Sequence, residues 1–495
     1  MPDRFDLRGR TLREHAARGT LINTAFVAGL SFLSLVRGFV LAALLTTTDY
    51  GVWGVTLITM TLVSQLQQIG IGDRYIQQDD PDQEAAFQKA FTISCVLAAV
   101  SIAATLVVLP VFALLYGEWR IVLPGLVLSL IYLAGPFQMP IWFHYRRMEF
   151  VRQRLLGAVE PVVGLVVAVA LAIAGAGYWA IFLGTLAGGW TTALVAASRS
   201  PYRFKWRYDR GTLRSYWSFS GPLVLASLGG MVIAQASIFA TEAHLGLAGA
   251  GALTLAATIS QFTDRVDHLV TGTLYPALVA VKDRTAVLYE SFVKSNRLAL
   301  MWAVPFGLGL SLFCADLVHL GIGERWEPAV PLLQAFGVIA AIGHIGFNWD
   351  AYFRAIGRTR PMAVASIAAA VTFLAIGLPL LFLYDLRGLA IGVGAQMLVH
   401  VACRAYFLSR LFDGFAFLRH ALRAVIPSVP AAGIVLLLRL VERGERTHLI
   451  VFGELVAYLA VTAAVTWALE SRLLREAAGY VRPARRMDEA STAPS

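Results

Sequence analysis

Five polar residues lie close together in an otherwise apolar segment near the middle of the chain: Gln261, Asp264, Arg265, Asp267 and His268. On a helix, Asp264, Asp267 and His268 share one face at spacings of three and four residues. Gln261, Arg265 and His268 form a second, overlapping strip. An ionisable group at hydrocarbon depth costs about 3 kcal/mol or more unless it faces a cavity or a partner. The two acids and the imidazole are therefore candidate ion-coupling residues; alternatively, the helix ends early and the cluster lies among cytoplasmic headgroups.

Single polar residues in other apolar segments extend the set of candidates. Arg37 lies in the outer third of the first segment, where a guanidinium can bind phosphate bidentately or extend to the outer headgroups. Glu160, more than one turn inside the fifth segment, is a candidate protonatable coupling group, or alternatively an interfacial acid near Arg154. Four further residues each favour an interhelical hydrogen bond over a ligand contact. With Arg37, Gln261 and Arg265, they complete the candidate substrate cavity: Gln65, Gln235, His344 and Asn348.

Apolar segments long enough to be membrane helices carry these residues. The chain has 495 residues, of which 58% are hydrophobic and 15% charged, and its mean hydropathy is +0.67. About 20 consecutive apolar residues cross the roughly 30 Å of bilayer hydrocarbon as a helix, whereas barrel strands alternate over about ten residues. The sequence therefore predicts an all-α polytopic membrane protein with about 14 spans: 20–45, 50–72, 90–116, 121–142, 156–174, 177–198, 216–241, 247–275, 297–320, 329–349, 361–384, 388–408, 422–440 and 449–470.

The basic residues are distributed unevenly between the predicted connections. Of the 41 Lys and Arg residues, Arg37 and Arg265 are assigned to the interior of spans, and six arginines lie on the side opposite the termini: Arg120, Arg325, Arg387, Arg439, Arg443 and Arg446. Because cytoplasmic loops are enriched in Lys and Arg, both termini are predicted to be cytoplasmic. Basic loops against an anionic leaflet also account for the net charge of +10, which does not require a nucleic-acid partner.

Weak internal repetition and the span pattern predict two similar halves. Gly51, which opens the second span, has a counterpart in Gly246 at the start of the eighth, and Ser64-Gln65 recurs as Ser260-Gln261. Parallel repeats of this kind occur in transporters whose halves rock around a central site. The predicted organisation is an N-lobe, a basic cytoplasmic linker, a C-lobe, two further spans and a disordered cytoplasmic tail: 1–199, 200–215, 216–411, 412–475 and 476–495.

Several function classes are disfavoured by what the connections lack. Most predicted outer loops have only about five to ten residues, too few for an extracytoplasmic catalytic domain. The chain contains no Gly-Lys pair, which argues against a Walker-type phosphate loop and an ATP-driven pump. Its three cysteines are scattered among predicted helices and indicate neither a disulfide framework nor a metal site. The sequence thus predicts a membrane protein that is not an enzyme and has no cofactor.

The first predicted hairpin resembles that of a known family. The string LAALLTTTDYGVWGV followed by QQIGIGDRYIQ is similar to the polysaccharide transporter family of the multidrug/oligosaccharidyl-lipid/polysaccharide (MOP) exporter superfamily. Ala43 stands where this family usually has Arg, and Thr47 where it usually has Pro, so the role of that Arg is not transferred to this chain. The matching positions are Leu44, Leu45, Thr46, Asp49, Tyr50, Gly51, Gly70, Ile76 and Gln77.

The resemblance implies a flippase in the bacterial inner membrane. Such a protein moves undecaprenyl-diphosphate-linked oligosaccharides from the cytoplasmic to the outer leaflet for surface polysaccharides such as lipopolysaccharide and exopolysaccharide. It implies alternating access, for which we expect coupling to H⁺ or Na⁺, with a polysaccharide polymerase as a candidate partner. Three alternatives stay open: a lipid II flippase, a multidrug or cation antiporter of the same superfamily, and a non-transporting assembly partner of a polysaccharide synthase.

Overall fold

The computed structural model describes residues 12–67, 71, 75, 80–147, 149–264, 278, 283–356, 358, 360–442 and 446–481. Throughout these residues the regular secondary structure is helical, and the all-α class predicted from the sequence is confirmed. Each apolar run satisfies its backbone hydrogen-bonding groups within its own helix. This is the arrangement that a bilayer requires of any spanning segment outside a closed barrel.

Residues before 200, called the first half, form long helices separated by short connections. Asp82 caps the start of α3 by accepting a hydrogen bond from a backbone N–H, and Gly117 ends α3 with a φ of +68°. The predicted span 121–142 is instead a series of short helical segments, because Pro136 and Pro140 interrupt it. The helix bounds are α1 (Leu12–Leu44), α2 (Thr47–Gln67), α3 (Gln83–Tyr116), α4 (Val122–Ser129), α5 (Pro140–Arg146), α6 (Phe150–Ile173) and α7 (Trp179–Ser198).

Residues 210–411, called the second half, include two helices with internal breaks. The backbone of α8 is non-helical at Gly246, and that of α13 is non-helical at Tyr384 and Asp385. Both breaks lie at predicted boundaries between spans. The helix bounds are α8 (Arg210–Ser260), α9 (Thr285–Asp316), α10 (Val330–Gly343), α11 (Trp349–Ala355), α12 (Arg360–Thr372) and α13 (Leu378–Leu411).

A short helix and a C-terminal pair of helices follow the second half. They are α14 (Phe417–Val425), α15 (Val429–Val441) and α16 (His448–Val481). The last of these continues into the predicted disordered tail 476–495, whose residues after 481 lie outside the described part of the chain. The second helix of the pair therefore starts within one residue of the predicted span 449–470 but ends later, whereas the first starts seven residues after the predicted start at 422.

Ten segments of the described chain are long and apolar enough to cross a membrane. One of them, Arg360–Leu411, contains the break at Tyr384 and Asp385. Helix α1 contributes a further apolar stretch within the described residues, Gly29–Leu44. These segments support a multi-pass membrane protein. The count of 14 spans stays a prediction.

The two halves meet along a surface, called the seam, that is formed mainly by α2 and α8. A Cβ atom built on Gly51 would overlap the carbonyl oxygen of Leu247, and one built on Gly251 would overlap that of Thr47. Small residues permit such close approach of helices in membranes. These two contacts are equivalent if Gly51 corresponds to Gly251 and Thr47 to Leu247. An approximate twofold axis between the halves would produce this correspondence. Gly246, which the sequence matched to Gly51, lies instead at the break in α8.

Candidate functional site

The first candidate site surrounds Arg37 of α1, whose side chain is partly buried next to α6 and α7. Its Nη2 donates a hydrogen bond to Thr185 Oγ1 at 3.1 Å, and Thr185 donates in turn to the backbone of its own helix. Glu160 of α6 lies close enough to interact electrostatically with the guanidinium. The structure therefore brings together a predicted cavity residue and a predicted coupling residue, although both functions stay predictions.

Glycines bring α6 and α7 close enough together to build this site. A Cβ atom on Gly188 would lie 2.5 Å from Glu160 O. One on Gly164 would lie 3.3 Å from Gly184 O and 3.6 Å from Arg37 Nη1. A guanidinium has five N–H donors, and in the described part of the chain Arg37 makes one side-chain hydrogen bond. It therefore retains donors for an anionic ligand.

A second candidate site lies in the second half, where the turn after α8 faces the end of α10. Asp264 Oδ1 lies 3.4 Å from His344 Nε2; the carboxyl group is half-exposed and the imidazole is 4% exposed. His344 Nδ1 lies 2.7 Å from Ala340 O, so Nδ1 carries a hydrogen and donates it. An ion pair between this imidazole and Asp264 therefore requires a second proton on the ring, at Nε2. This arrangement is suited to reversible proton binding.

The rest of the polar cluster that surrounds Asp264 in the sequence is only partly described. Gln261 begins the same short 3₁₀ turn and is exposed. Arg265, Asp267 and His268 lie outside the described residues, so the polar face predicted for them stays a prediction.

The two glutamines predicted for the cavity outside this cluster lie on the helices of the seam. Gln65 is in the last turn of α2, and its side chain is outside the described part of the chain. Gln235 of α8 donates from Nε2 to the carbonyl oxygen of Ile58 in α2. Its Oε1 is buried and has no hydrogen-bond partner among the described residues. Gln235 therefore joins the two halves through one hydrogen bond.

A gap of about 40 Å³ separates α1 from the end of α8. A water molecule takes up about 30 Å³ in the liquid, so the gap has room for about one. In this conformation the helix that carries Arg37 and the helix that leads to Asp264 are therefore closely apposed across the seam. The gap is lined by Ser34, Leu35, Gly38, Thr258, Ile259 and Phe262.

A buried polar network holds the break between α10 and α11. Gly346 has a φ of +74°, and its N–H donates to Asn296 Oδ1 at 3.1 Å. Asn296 Nδ2 donates to His344 O at 3.1 Å, and Asn348 Nδ2 donates to Ser295 Oγ at 2.7 Å. Asn348 is only 3% exposed. In this conformation His344 and Asn348 therefore take part in a structural junction, and their predicted contact with substrate stays a prediction.

Arg404 belongs to the same junction, and the sequence analysis did not identify it. Its buried guanidinium donates from Nη1 to Gly343 O at 2.6 Å and to Ile345 O at 2.9 Å. These carbonyls at the end of α10 lack helical partners. Its position inside the predicted span 388–408, where an arginine needs a partner, is the sequence signal for this role.

The connection between α9 and α10 closes one end of the seam. Within its 3₁₀ segment, Trp326 is fully buried and donates from Nε1 to Ala42 O at 2.8 Å. Arg325 Nη2 donates to the same oxygen at 3.3 Å and to Ala43 O. Both acceptors are among the last carbonyls of α1, which have no partner within the helix. Arg325 and Trp326, called the α1 cap, therefore join the second half to the first.

The Asp-Tyr-Gly string of the resemblance lies at this same end of the seam. Asp49 Oδ2 accepts hydrogen bonds from Thr46 N and Oγ1, at 2.9 and 2.6 Å, and its Oδ1 accepts one from Tyr178 N at 2.8 Å. Tyr50 packs perpendicular to the tryptophan of the α1 cap, with ring centroids 5.0 Å apart. Gly51 provides the close approach of α2 and α8. Three later matching positions lie outside the described residues: Gly70, Ile76 and Gln77.

An ion network attaches the C-terminal pair to α9, and the sequence placed its arginines in outer connections. Arg439 contacts Asp316 Oδ2 at 2.7 Å and Glu454 Oε2 at 3.2 Å. Arg446 contacts Asp316 Oδ1 at 2.7 Å and Glu454 Oε2 at 2.8 Å. The hydrogen bond to Glu454 raises the pKa of Arg446. Because both carboxylates are buried, loss of one partner would leave an uncompensated charge, and the network fixes the pair to the second half.

Long apolar helices, two halves in reciprocal contact and charged groups buried between the helices define a multi-pass membrane protein. Solved transporters of the MOP superfamily share this fold. The lipid II flippase MurJ, in an inward closed conformation, gives a TM-score of 0.64 at 11% identity over 91% of this chain and 99% of MurJ. An inward-facing multidrug resistance MATE family transporter gives a TM-score of 0.61 at 14% identity, over 79% of this chain and 98% of that transporter.

The sequence profile of the family described as "Polysaccharide biosynthesis protein" matches residues 40–331, and the chain belongs to that family. The succinoglycan biosynthesis transport protein ExoT of Rhizobium meliloti is 22% identical over 67% of this chain and 66% of ExoT, just under two thirds of that relative. The lipopolysaccharide biosynthesis protein WzxC of Escherichia coli is 23% identical over 69% of each chain. The family match confirms the resemblance of the first hairpin, and the two solved structures show that the chain shares the fold of these transporters.

Proposed function

We propose that this chain is a flippase that moves undecaprenyl-diphosphate-linked oligosaccharides from the cytoplasmic to the outer leaflet of the bacterial inner membrane. The observation that carries the proposal is Arg37, a partly buried guanidinium held by Thr185. A guanidinium binds phosphate groups through paired hydrogen bonds. The polysaccharide family, with relatives named for succinoglycan transport and lipopolysaccharide biosynthesis, favours a lipid-linked sugar as the carrier of that diphosphate.

Alternating access between two lobes is the proposed mechanism. The lobes are residues 1–199 and 216–411, joined by the basic linker 200–215. With both termini in the cytoplasm, the α1 cap and the contact of Gly51 with Leu247 lie at the outer end of the seam. The described conformation is then closed to the outside, and release requires α2 and α8 to separate there. The sugar and diphosphate enter from the cytoplasm while the prenyl chain stays in lipid.

The Asp264–His344 pair is the proposed site of proton coupling. Because an ion pair between these residues requires a protonated imidazole, protonation stabilises the turn after α8 against α10. Loss of that proton weakens the contact and favours a different arrangement of the second half. Glu160, Asp267 and His268 are further candidate coupling groups, and Na⁺ is the alternative ion.

Leaflet transfer in proteoliposomes tests the proposal. The substrate is a fluorescent undecaprenyl-diphosphate oligosaccharide, and imposed proton or sodium gradients identify the coupling ion. A hydrogen bond to a charged group contributes about 1.5–3 kcal/mol, so Arg37→Gln should slow transfer about tenfold or more. Arg37→Lys, which keeps the charge, should retain part of the rate. Arg419→Gln removes an exposed arginine of α14 and should match the wild type.

The same assay separates the alternatives. Transfer of lipid II without transfer of the oligosaccharide substrate would favour a lipid II flippase, and proton-driven movement of organic cations would favour a multidrug antiporter. If the folded wild-type protein transfers none of these substrates under any gradient, the flippase proposal is wrong and the assembly-partner alternative is favoured.

A further inference from the structure

A slot of about 470 Å³ lies in the first half, between α5, α6 and the end of α7. Arg152 and Arg199 lie at its mouth, and Leu155, Val159 and Val195 are part of its apolar wall. All the residues that line it belong to the first half. Basic connections surround the mouth, which the positive-inside rule therefore places at the cytoplasmic side.

The mouth of the slot carries positive charge. His144 Nδ1 and Arg152 Nη1 both contact Glu149 Oε2, at 2.8 and 3.2 Å, so the nearby carboxylate is already engaged. The side chain of Arg152 is 64% exposed, which leaves its other N–H groups accessible. Arg199 follows the last residue of α7 and has no carboxylate partner among the described residues. Two guanidinium groups are thus available to an anion, and a phosphate group fits their paired donors.

The apolar wall extends from this mouth toward the bilayer interior. On α6, Leu155 and Val159 lie about 5 and 10 Å beyond Arg152, at about 1.5 Å per residue. On α7, Val195 lies about one turn before Arg199. Leu155 is exposed, so the wall presents apolar surface outside the packed helices. A free phosphate ion would leave this surface uncovered, whereas a phospholipid would cover it with an acyl chain.

We propose that this slot binds an anionic phospholipid of the cytoplasmic leaflet. Its phosphate lies between Arg152 and Arg199, and one acyl chain lies along Leu155, Val159 and Val195. The site combines a cationic mouth at headgroup level with an apolar wall at hydrocarbon level.

The bound lipid is a resident of the protein rather than its cargo. Cargo must pass between the two halves, whereas the slot is lined only by the first half. Glu160, next to Val159 in the chain, interacts instead with Arg37 of α1. The phospholipid site is therefore separate from the proposed diphosphate site, and it does not depend on the identity of the cargo.

Native mass spectrometry of the delipidated full-length protein tests the site. The probes are dioleoyl phosphatidylglycerol and dioleoyl phosphatidylcholine, which have the same acyl chains. The double variant Arg152→Gln/Arg199→Gln should bind phosphatidylglycerol about 25-fold more weakly, at about fivefold for each basic residue near the surface. The control Arg358→Gln/Arg419→Gln removes two exposed arginines elsewhere on the predicted cytoplasmic side and should bind like the wild type. Circular dichroism and the thermal midpoint establish that all variants fold.

Three results would overturn the proposal. Equal weakening in both double variants would indicate non-specific attraction of charge. If inorganic phosphate displaces bound phosphatidylglycerol as effectively as free phosphatidylglycerol does, the slot is an anion site and its apolar wall has no role in binding. Preferential binding of undecaprenyl diphosphate that is lost in Arg152→Gln/Arg199→Gln would assign the slot to the cargo. Dihexanoyl phosphatidylglycerol, which cannot cover the wall, should bind at least about tenfold more weakly than the dioleoyl lipid.

Discussion

Replacing Gly51 with alanine tests the seam directly. The added methyl group would overlap the carbonyl oxygen of Leu247, and a backbone atom cannot move aside as the end of a side chain can. The helices α2 and α8 must therefore separate by about 1.5 Å before the methyl group reaches ordinary contact. Gly51 lies within α2, where alanine is the better helix former, so the substitution does not weaken the helix itself.

The separation weakens the closed seam by an amount that can be estimated. A gap of only about 0.5–1 Å already removes about a quarter to a half of the dispersion energy of each facing contact, and this separation is larger. Overpacking of a close-packed interior costs about 1–3 kcal/mol. This penalty applies only while Leu247 lies opposite Gly51, that is, while the seam is closed. Since about 1.4 kcal/mol changes a ratio tenfold, Gly51→Ala should raise the open-to-closed ratio about 5- to 150-fold.

Distances between two spin labels report this ratio. The three native cysteines are first replaced, and spin labels are then attached at Ala174 in the first half and Arg387 in the second. Both positions are exposed, and the distance between the labels reports the separation of the halves. Gly51→Ala should add a population at longer distance, measured by double electron–electron resonance. Gly157→Ala adds the same methyl group to a helical glycine with open space around it and should match the wild type. If both folded variants give the wild-type distribution, α2 and α8 are not in close contact and the reasoning fails.

Three further substitutions test other parts of the structure. Trp326→Phe removes the indole N–H that donates to Ala42 O. At about 1 kcal/mol, this loss should raise the open-to-closed ratio about fivefold in the same label experiment, and an unchanged distance distribution would contradict the role of the cap. Glu454→Gln breaks a buried ion network and should lower the free energy of unfolding by about 3 kcal/mol, measured as a lower thermal midpoint. Glu324→Gln, the control, changes an exposed glutamate and should leave the midpoint unchanged. Asp264→Asn should abolish the stimulation of transfer by a proton gradient while leaving the transfer that occurs without a gradient. If the stimulation is retained, Asp264 is not part of the coupling site.

The helices were largely predictable because hydropathy records which segments lie in lipid. The predicted span 90–116 is the apolar part of α3, which begins earlier because Asp82 supplies a cap at its start. The predicted span 121–142 is interrupted by Pro136 and Pro140, which composition averaged over a window does not register. Hydropathy therefore located the segments, and their exact ends and breaks depended on individual residues.

The pairing of polar residues was less predictable because it depends on contacts between distant helices. The sequence marked Asp264 for ion coupling and His344 for the cavity, without a reason to join them, and the structure places them 3.4 Å apart. The positive φ of Gly346 lets the chain turn away from the axis of α10 directly after His344. The approach of Gly51 to Leu247 likewise depends on the packing of the two halves, which no local pattern encodes.

Ion pairs and the seam are kept apart within the described residues, and this separation suits the proposed alternating-access mechanism. Each ion pair there joins groups within one half, its adjoining linker or the C-terminal pair, as in the network around Asp316. Contacts across the seam end instead on backbone carbonyls: the α1 cap on Ala42, and Gln235 on Ile58. A neutral hydrogen bond contributes about 1 kcal/mol and one from a charged donor such as Arg325 about 1.5–3 kcal/mol, whereas removing one partner of a buried ion pair costs about 3–5 kcal/mol. The seam can therefore open for a few kcal/mol, within reach of substrate or proton binding, while the ion pairs keep each half intact.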